Sequence, residues 1–153
     1  MPWWADVIEV DERFEVAAPP ITVWQLLADP KAVVGCVPGA SILSHNEDGS
    51  LETALTVKFG PLSIAFNAHA ELELDNAAMS GQITARGKEK QGGARFTASA
   101  SFGVTAKGEG ALVRTHGEVD VTGRLASMIE GGAQVVVNRM SAQFADCLRA
   151  RCA

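Results

Sequence analysis

The sequence contains three cysteines, whose thiols could act as nucleophiles, bind a metal or form disulfides. One of them stands in the stretch AVVGCVPGAS. Cys36 lies there beside a Pro-Gly turn, whereas Cys147 and Cys152 lie near the end of the 153-residue chain. Cys36 could serve as a nucleophile or a metal ligand, but the spacings match neither a CxxC pair nor a zinc knuckle. Its apolar neighbours disfavour the thiolate, and no histidine is adjacent. We therefore expect reduced, structural thiols, with Cys36 at the rim of the enclosed interior.

Histidines and carboxylates are the next candidates, because acid–base catalysis depends on them. Alternation of apolar and polar residues predicts that His69, in LSIAFNAHAELELD, and His116, in LVRTHGEVDV, face solvent. The same alternation assigns no Asp, Glu, His, Lys or Cys of a strand to the inner face. A paired-carboxylate, Ser/His/Asp or Cys/His site then has no place to assemble, so we expect neither catalytic residues nor a metal.

The composition limits the partners and the location. A net charge of -5 and the lack of a Lys/Arg run exclude the basic footprint of a nucleic-acid-binding protein. The chain contains no apolar window of membrane-spanning length, and its N-terminus lacks the regions of a secretory signal. We expect a soluble, cytoplasmic protein with a single domain over residues 1–153 and a core over about residues 5–149.

The residue pattern predicts an α+β fold. A half-buried strand over residues 5–16 precedes two short helices, which begin near Pro20 and Pro30 and end before the VPG turn. Residues 40–122 then form consecutive hairpins, and residues 124–149 have the periodicity of a long amphipathic helix. This order favours a curved antiparallel sheet of about seven strands around the C-terminal helix.

The inner face of this sheet combines large apolar residues with small ones in mid-strand, and the helix carries two glycines in EGGAQ. One interpretation is close packing of helix against sheet, and the other is an apolar pocket between them. We favour the pocket. Its predicted ligand-binding residues are Val37, Leu55, Val57, Phe59, Ile64, Phe66, Ala68, Ile83, Phe96, Ala98, Ala100, Phe102, Thr115, Gly117, Met128, Gly132, Val136 and Met140.

A long run near the N-terminus resembles a known family. VAAPPITVWQLLADPKAVVGCVPGAS is similar to the opening of the SRPBCC superfamily of polyketide cyclase, START-like and Bet v 1-like proteins. Its APP, VW, DP and C.PG positions more narrowly resemble the carbon monoxide dehydrogenase G-subunit (CoxG) family. VKFGPLSIAFNAHAEL, the GGA at residues 92–94 and TGRLASM extend the resemblance over about residues 7–148.

This resemblance implies a helix-grip fold, in which a curved sheet wraps the C-terminal helix around a deep apolar cavity. CoxG proteins accompany molybdenum-containing carbon monoxide dehydrogenases and related hydroxylases, and are associated with membrane recruitment and with a lipophilic acceptor such as a quinone. We therefore expect a non-catalytic accessory protein that holds a quinone-like or lipid-like molecule for such an enzyme, with no covalently bound cofactor. The alternative is a polyketide cyclase/aromatase-like or hydrolase-like enzyme of the same superfamily.

Three surface features leave alternatives open. Trp3 and Trp4 would form a core contact, a homodimer contact or a membrane-interface contact. The basic turn ARGKEKQGGAR is either a solvated hairpin or a docking patch for an acidic partner. The sequence ends without the longer, partly apolar tail of many CoxG proteins, so peripheral contact with the inner face of the membrane is expected rather than a tail anchor.

Overall fold

The fold is a seven-stranded antiparallel sheet with three helices. The computed structural model describes residues 7–152, and the side chains of residues 8–126, 129 and 132–152. Its elements are β1 (Val7–Val16), α1 (Pro20–Leu27), α2 (Pro30–Cys36), β2 (Ala40–His45), β3 (Leu51–Phe59), β4 (Leu62–Asp75), β5 (Ser80–Glu89), β6 (Arg95–Lys107), β7 (Gly110–Thr122) and α3 (Ala126–Cys152). The predicted architecture is confirmed, whereas Trp3 and Trp4 lie outside the described residues.

The strands follow the spatial order β1-β7-β6-β5-β4-β3-β2, and all neighbours are antiparallel. β2 to β7 form a meander of hairpins, while β1 pairs with the last strand. The helices α1 and α2 therefore carry the chain from one edge of the sheet to the other. This path places both short helices at one end of the sheet.

The two short helices begin where the prolines predict. Each has proline at its first position, and Asp29 accepts a hydrogen bond from the Lys31 backbone N–H at 3.0 Å. After α2 the chain turns at Gly39, whose φ of 79° lies in the left-handed region. A Cβ on Gly39 would collide with the Thr56 carbonyl oxygen. The VPG turn therefore needs glycine to pass close to β3.

The long helix α3 is attached to both sides of the curled sheet. Gln134 and Arg149 donate to carbonyl oxygens of β1 at 3.3 and 2.9 Å. Arg139 donates to a carbonyl oxygen of β3 at 3.0 Å. Because β1 and β3 lie well apart in the strand order, these bonds show that α3 bridges the opening of the curved surface.

Cys36 and Cys147 form a disulfide that joins α2 to α3, with their Cα atoms 5.5 Å apart. The prediction of reduced thiols is therefore wrong for this pair. The two cysteines are 111 residues apart, and only the packing of α2 on α3 brings them together. Cys152 is a free, partly buried cysteine, and burial raises the pKa of its thiol.

Thiol counting tests this bond. Protein purified without reductant and then denatured is expected to expose one thiol per chain, and three after reduction. Cys36→Ser should lower the free energy of unfolding by about 2–5 kcal/mol, because the bond closes a long loop in the unfolded chain. Cys152→Ser is the matched control and should change stability far less. Three thiols before reduction would contradict the disulfide.

Candidate functional site

Large apolar side chains of the interior form two clusters at opposite ends of the sheet. The first cluster contains Ile8, Val57, Ile64, Phe66, Ala94, Val121, Ile129, Ala133 and Val136. The second cluster contains Val16, Ala18, Val23, Trp24, Leu27, Val104, Ala111, Val113 and Leu148. Most compact domains have one contiguous core. In the described part of this chain, the core is divided in two.

Small side chains occupy the sheet between the two clusters. One row of paired residues across the strands is Val119, Ala98, Ala85 and Ala70. The next row is Val10, Gly117, Ala100, Ile83 and Leu72. Ala85, Ala98 and Ala100 are partly accessible, and the first two also line a groove on the outer face of the sheet. The central strands thus present mostly short side chains on the face that α3 covers.

Gly132 is the described glycine of α3 at which an added methyl group would meet no described atom. It lies on the inward stripe of the helix, between Ile129 and Val136. A Cβ built on Gly132 would meet no heavy atom of the described residues within 4 Å. On the sheet, by contrast, a Cβ on Gly117 would stand 2.6 Å from the Ser99 carbonyl oxygen. Close packing thus explains this sheet glycine, whereas Gly132 is partly exposed and leaves room for a methyl group among the described residues.

An aromatic pair lies at each of two ends of the sheet. At one end, Trp24 stacks on Phe102 with ring centroids 6.0 Å apart, and its indole N–H donates to the Asn76 side chain at 2.9 Å. At the other end, Phe66 and Phe96 meet edge to face at 5.2 Å. Each pair therefore adds a directional contact between two elements.

The predicted ligand-binding residues divide between the walls and the middle of the interior. Those in or against the first cluster are Leu55, Val57, Phe59, Ile64, Phe66, Phe96, Val136 and Met140. Phe102 packs against the second cluster. Those in neither cluster are Val37, Ala68, Ile83, Ala98, Ala100, Thr115, Gly117 and Gly132. Val37 lies apart from the strand rows, at the end of α2, and the side chain of Met128 lies outside the described residues.

Glu12 is an inner-face residue that the sequence pattern did not reveal. Ile8 and Val16 lie on the same side of β1 and are buried, and Glu12 pairs with Thr115, which also faces inward. The expectation of no ionisable inner-face residue is therefore wrong. The run Asp-Glu-Arg interrupts the alternation of β1, and two-residue periodicity places its middle member on the inside. Strand phase alone could have identified it.

The outer face carries a polar network around His69. Its Nδ1 lies 2.8 Å from Glu52 and its Nε2 lies 3.3 Å from Glu71. The hydrogen bond with Glu52 is the main cause that raises the pKa of His69. Protonated His69 thus contributes stability that is full below its unfolded pKa and is lost as pH rises through the higher folded pKa.

A shallow groove of about 590 Å³ lies beside this network, on the outer face of β4 to β7. Its lining includes His69, Glu71, Arg86, Glu118 and Asp120. The groove is open to solvent and rich in charge, so it does not provide the apolar surroundings expected for a lipophilic ligand. The inner face of the sheet, opposite α3, is therefore the stronger candidate site.

Exposed cations gather at the end of the sheet near the β3–β4 and β5–β6 turns. They are Lys58, Arg86, Lys88, Lys90, Arg95, Arg124 and Arg139. Among the described side chains, none of these seven takes part in an ion pair. The basic turn found in the sequence is thus part of a larger basic end.

Neither a metal cluster nor a membrane-spanning helix occurs in the described residues. No group of three or more His, Cys, Asp or Glu side chains in residues 8–126, 129 and 132–152 could hold a metal ion. No helix in the described part of the chain is long and apolar enough to cross a bilayer.

Comparison with known families identifies the chain. The model of the carbon monoxide dehydrogenase G-subunit (CoxG) family matches residues 13–153. The chain belongs to the CoxG family. Among curated proteins, no match was found. The resemblance seen in the segment VAAPPITVWQLLADPKAVVGCVPGAS is therefore confirmed. The match extends well beyond that segment and covers all but the first twelve residues of this chain.

Solved structures place this CoxG protein in the START-like fold. A conserved protein from Geobacillus kaustophilus has a TM-score of 0.73 and 17% identity, covering 92% of this chain and 95% of its own. The Zhui aromatase/cyclase from Streptomyces sp. R1128 has a TM-score of 0.65 and 20% identity, with 95% and 93% covered. A START superfamily protein from Mycobacterium smegmatis has a TM-score of 0.60 and 22% identity, with 94% and 96% covered. At these identities the likeness establishes the fold alone.

Alanine at two glycines tests the open space. Gly132→Ala should raise the free energy of unfolding by about 0.5–1 kcal/mol, because alanine favours helix and its methyl group meets nothing. Gly117→Ala should lower it by about 1–3 kcal/mol, because the new methyl group overlaps the neighbouring strand. Urea unfolding of both variants measures the difference. A loss of stability in Gly132→Ala would show that the space is filled.

Proposed function

We propose that this CoxG protein is a non-catalytic carrier that holds an apolar, quinone-like or lipid-like molecule between the sheet and α3. The observation that carries the proposal is a floor of small side chains on the inner face of the central strands, together with the room that a methyl group on Gly132 would find. Ala98 and Ala100 form the centre of that floor. The two apolar clusters form its end walls, so a ligand of matching shape would be enclosed on several sides.

Apolar walls favour an apolar occupant for two reasons. Burying hydrocarbon surface is worth about 25 cal/mol per Å². A water molecule needs two to four polar partners, and a floor of alanine methyl groups offers none. The space therefore gains more from an elongated or ring-shaped hydrocarbon molecule than from water. The bound molecule would be held non-covalently, which fits a carrier that must also release it.

The inner face offers little for catalysis. Glu89 lies on this face at the end of β5, but its carboxylate accepts hydrogen bonds from the backbone N–H groups of Gln91 and Gly93 at 3.0 and 2.9 Å. These bonds lower the pKa of Glu89. They also tie its carboxylate to the backbone of the β5–β6 turn. Glu12 is a single carboxylate, and acid–base chemistry usually needs a partner group.

A cyclase/aromatase-like or hydrolase-like enzyme is the second candidate function. The inward position of Glu12 favours it, because a carboxylate beside an apolar space can act as a base. Turnover of a polyketide-like or ester substrate that is lost in Glu12→Gln would support this candidate. No turnover by the wild type would leave the carrier function.

We propose a molybdenum hydroxylase of the carbon monoxide dehydrogenase type as the partner, as the family name suggests. The basic end is the proposed contact surface, because its seven cations form no ion pair with a described side chain and would complement an acidic protein. Salt-sensitive co-elution with such an enzyme supports this contact, and no co-elution at low salt refutes it. Peripheral membrane contact and a homodimer stay predictions from the sequence.

A cytoplasmic location also stays a prediction. The Cys36–Cys147 bond counts against this location, because disulfides are rare in a reducing cytoplasm. Trapping thiols with an alkylating reagent in intact cells, before lysis, would show whether the bond exists there. Free Cys36 and Cys147 in the trapped protein are the result expected for the cytoplasm.

Ligand retention tests the carrier function. Native mass spectrometry of the purified protein, with and without added short-chain quinone, is expected to show one apolar molecule per chain. Ala100→Phe should weaken this binding roughly tenfold or more, because its ring would fill the floor of the space. Ser99→Phe is the matched control, since the same change on the same strand faces solvent. Exclusion of both quinone and other apolar probes by the wild type would contradict the proposal.

A further inference from the structure

Glu12 lies at the side of the open space, between the two apolar clusters. Along the inner face of β1, Ile8 belongs to the first cluster, whereas Phe14 packs against the second and Val16 belongs to it. Val10 and Glu12 come between them and belong to neither. Glu12 thus lies between the clusters. On the inner face, its pair with Thr115 follows directly after the pair of Val10 with Gly117.

The carboxylate of Glu12 is not used by the fold. Among the described side chains it makes no hydrogen bond and no ion pair. The nearest cation of α3 along β1 is Arg149, which donates to the Glu15 carbonyl oxygen and to Asp146. Thr115, opposite Glu12, is partly buried and also makes no side-chain hydrogen bond to a described residue.

The polar atoms of Glu12 and Thr115 remain accessible to solvent, because no buried side-chain oxygen or nitrogen of the described residues lacks a hydrogen-bond partner. Glu12 and Thr115 stand as direct partners on β1 and β7, so their side chains are neighbours on one face. A carboxylate accepts hydrogen bonds only, whereas a hydroxyl both donates and accepts. Together they offer one strong acceptor and one adaptable group beside an apolar floor.

We propose that Glu12 and Thr115 are the polar anchor of the ligand site, and that they select an apolar molecule that carries a hydroxyl donor. The inference rests on the proposed carrier function and names its ligand class more narrowly. A carbonyl oxygen placed against the Glu12 carboxylate is repelled, while a hydroxyl donates to it. Of a quinone redox pair, the quinol form is the one that this anchor favours.

Paired probes test this selectivity. β-Naphthol and its methyl ether have the same ring system, and only the first can donate a hydrogen bond. Fluorescence titration of the whole chain is expected to show β-naphthol binding roughly tenfold to a hundredfold more tightly, as for a hydrogen bond to a charged group. Glu12→Leu should abolish that preference by weakening β-naphthol binding, and it should leave the methyl ether at least as tightly bound.

Glu9→Leu is the matched control, since it makes the same change on the outer face of the same strand and should keep the preference. Thermal unfolding by circular dichroism verifies that both variants fold. Equal affinity for the two probes in the wild type, or an unchanged preference in folded Glu12→Leu, overturns the anchor and leaves the carrier function standing. Failure of both probes to bind overturns the carrier function and the anchor together.

Discussion

The distance between α3 and the sheet is the constraint on which the interior depends. Large side chains set this distance at the two ends, where Ile129 and Val136 pack into the first cluster and Leu148 into the second. Hydrogen bonds from α3 to β1 and β3 carbonyl oxygens hold the helix over the opening. Between the ends, the central strands carry Ala98, Ala100 and Gly117, whose side chains reach less far from the sheet. The two apolar clusters therefore set the distance between α3 and the sheet.

The proposed space would lower stability, because the side chains around it would lack contact partners. Contacts elsewhere in the fold would offset this loss. The Cys36–Cys147 bond joins α2 to α3. Trp24 ties α1 to the β4–β5 turn through Asn76. Such features hold both short helices in place over one end of the sheet, so the middle can be left to a ligand.

Local periodicity explains why much of the inner face of the sheet was predictable. The two-residue repeat of β4 to β7 assigned Ala98, Ala100 and Gly117 to the inner face without tertiary information. The same approach missed Glu12, because three successive polar residues hide the phase of β1. The cysteine pair lies 111 residues apart, and its contact arises only from packing. The division of the core into two clusters also depends on side-chain lengths across different elements, which no single segment contains.

The central claim is that an apolar space separates α3 from the middle of the sheet. Xenon binds in empty apolar cavities of protein crystals, and it does not enter filled cores. A crystal of the wild-type chain under xenon pressure is predicted to show a xenon atom between Gly132 and the floor formed by Ala98 and Ala100. Electron density in which side chains of α3 fill this region, with no xenon bound, would contradict the account.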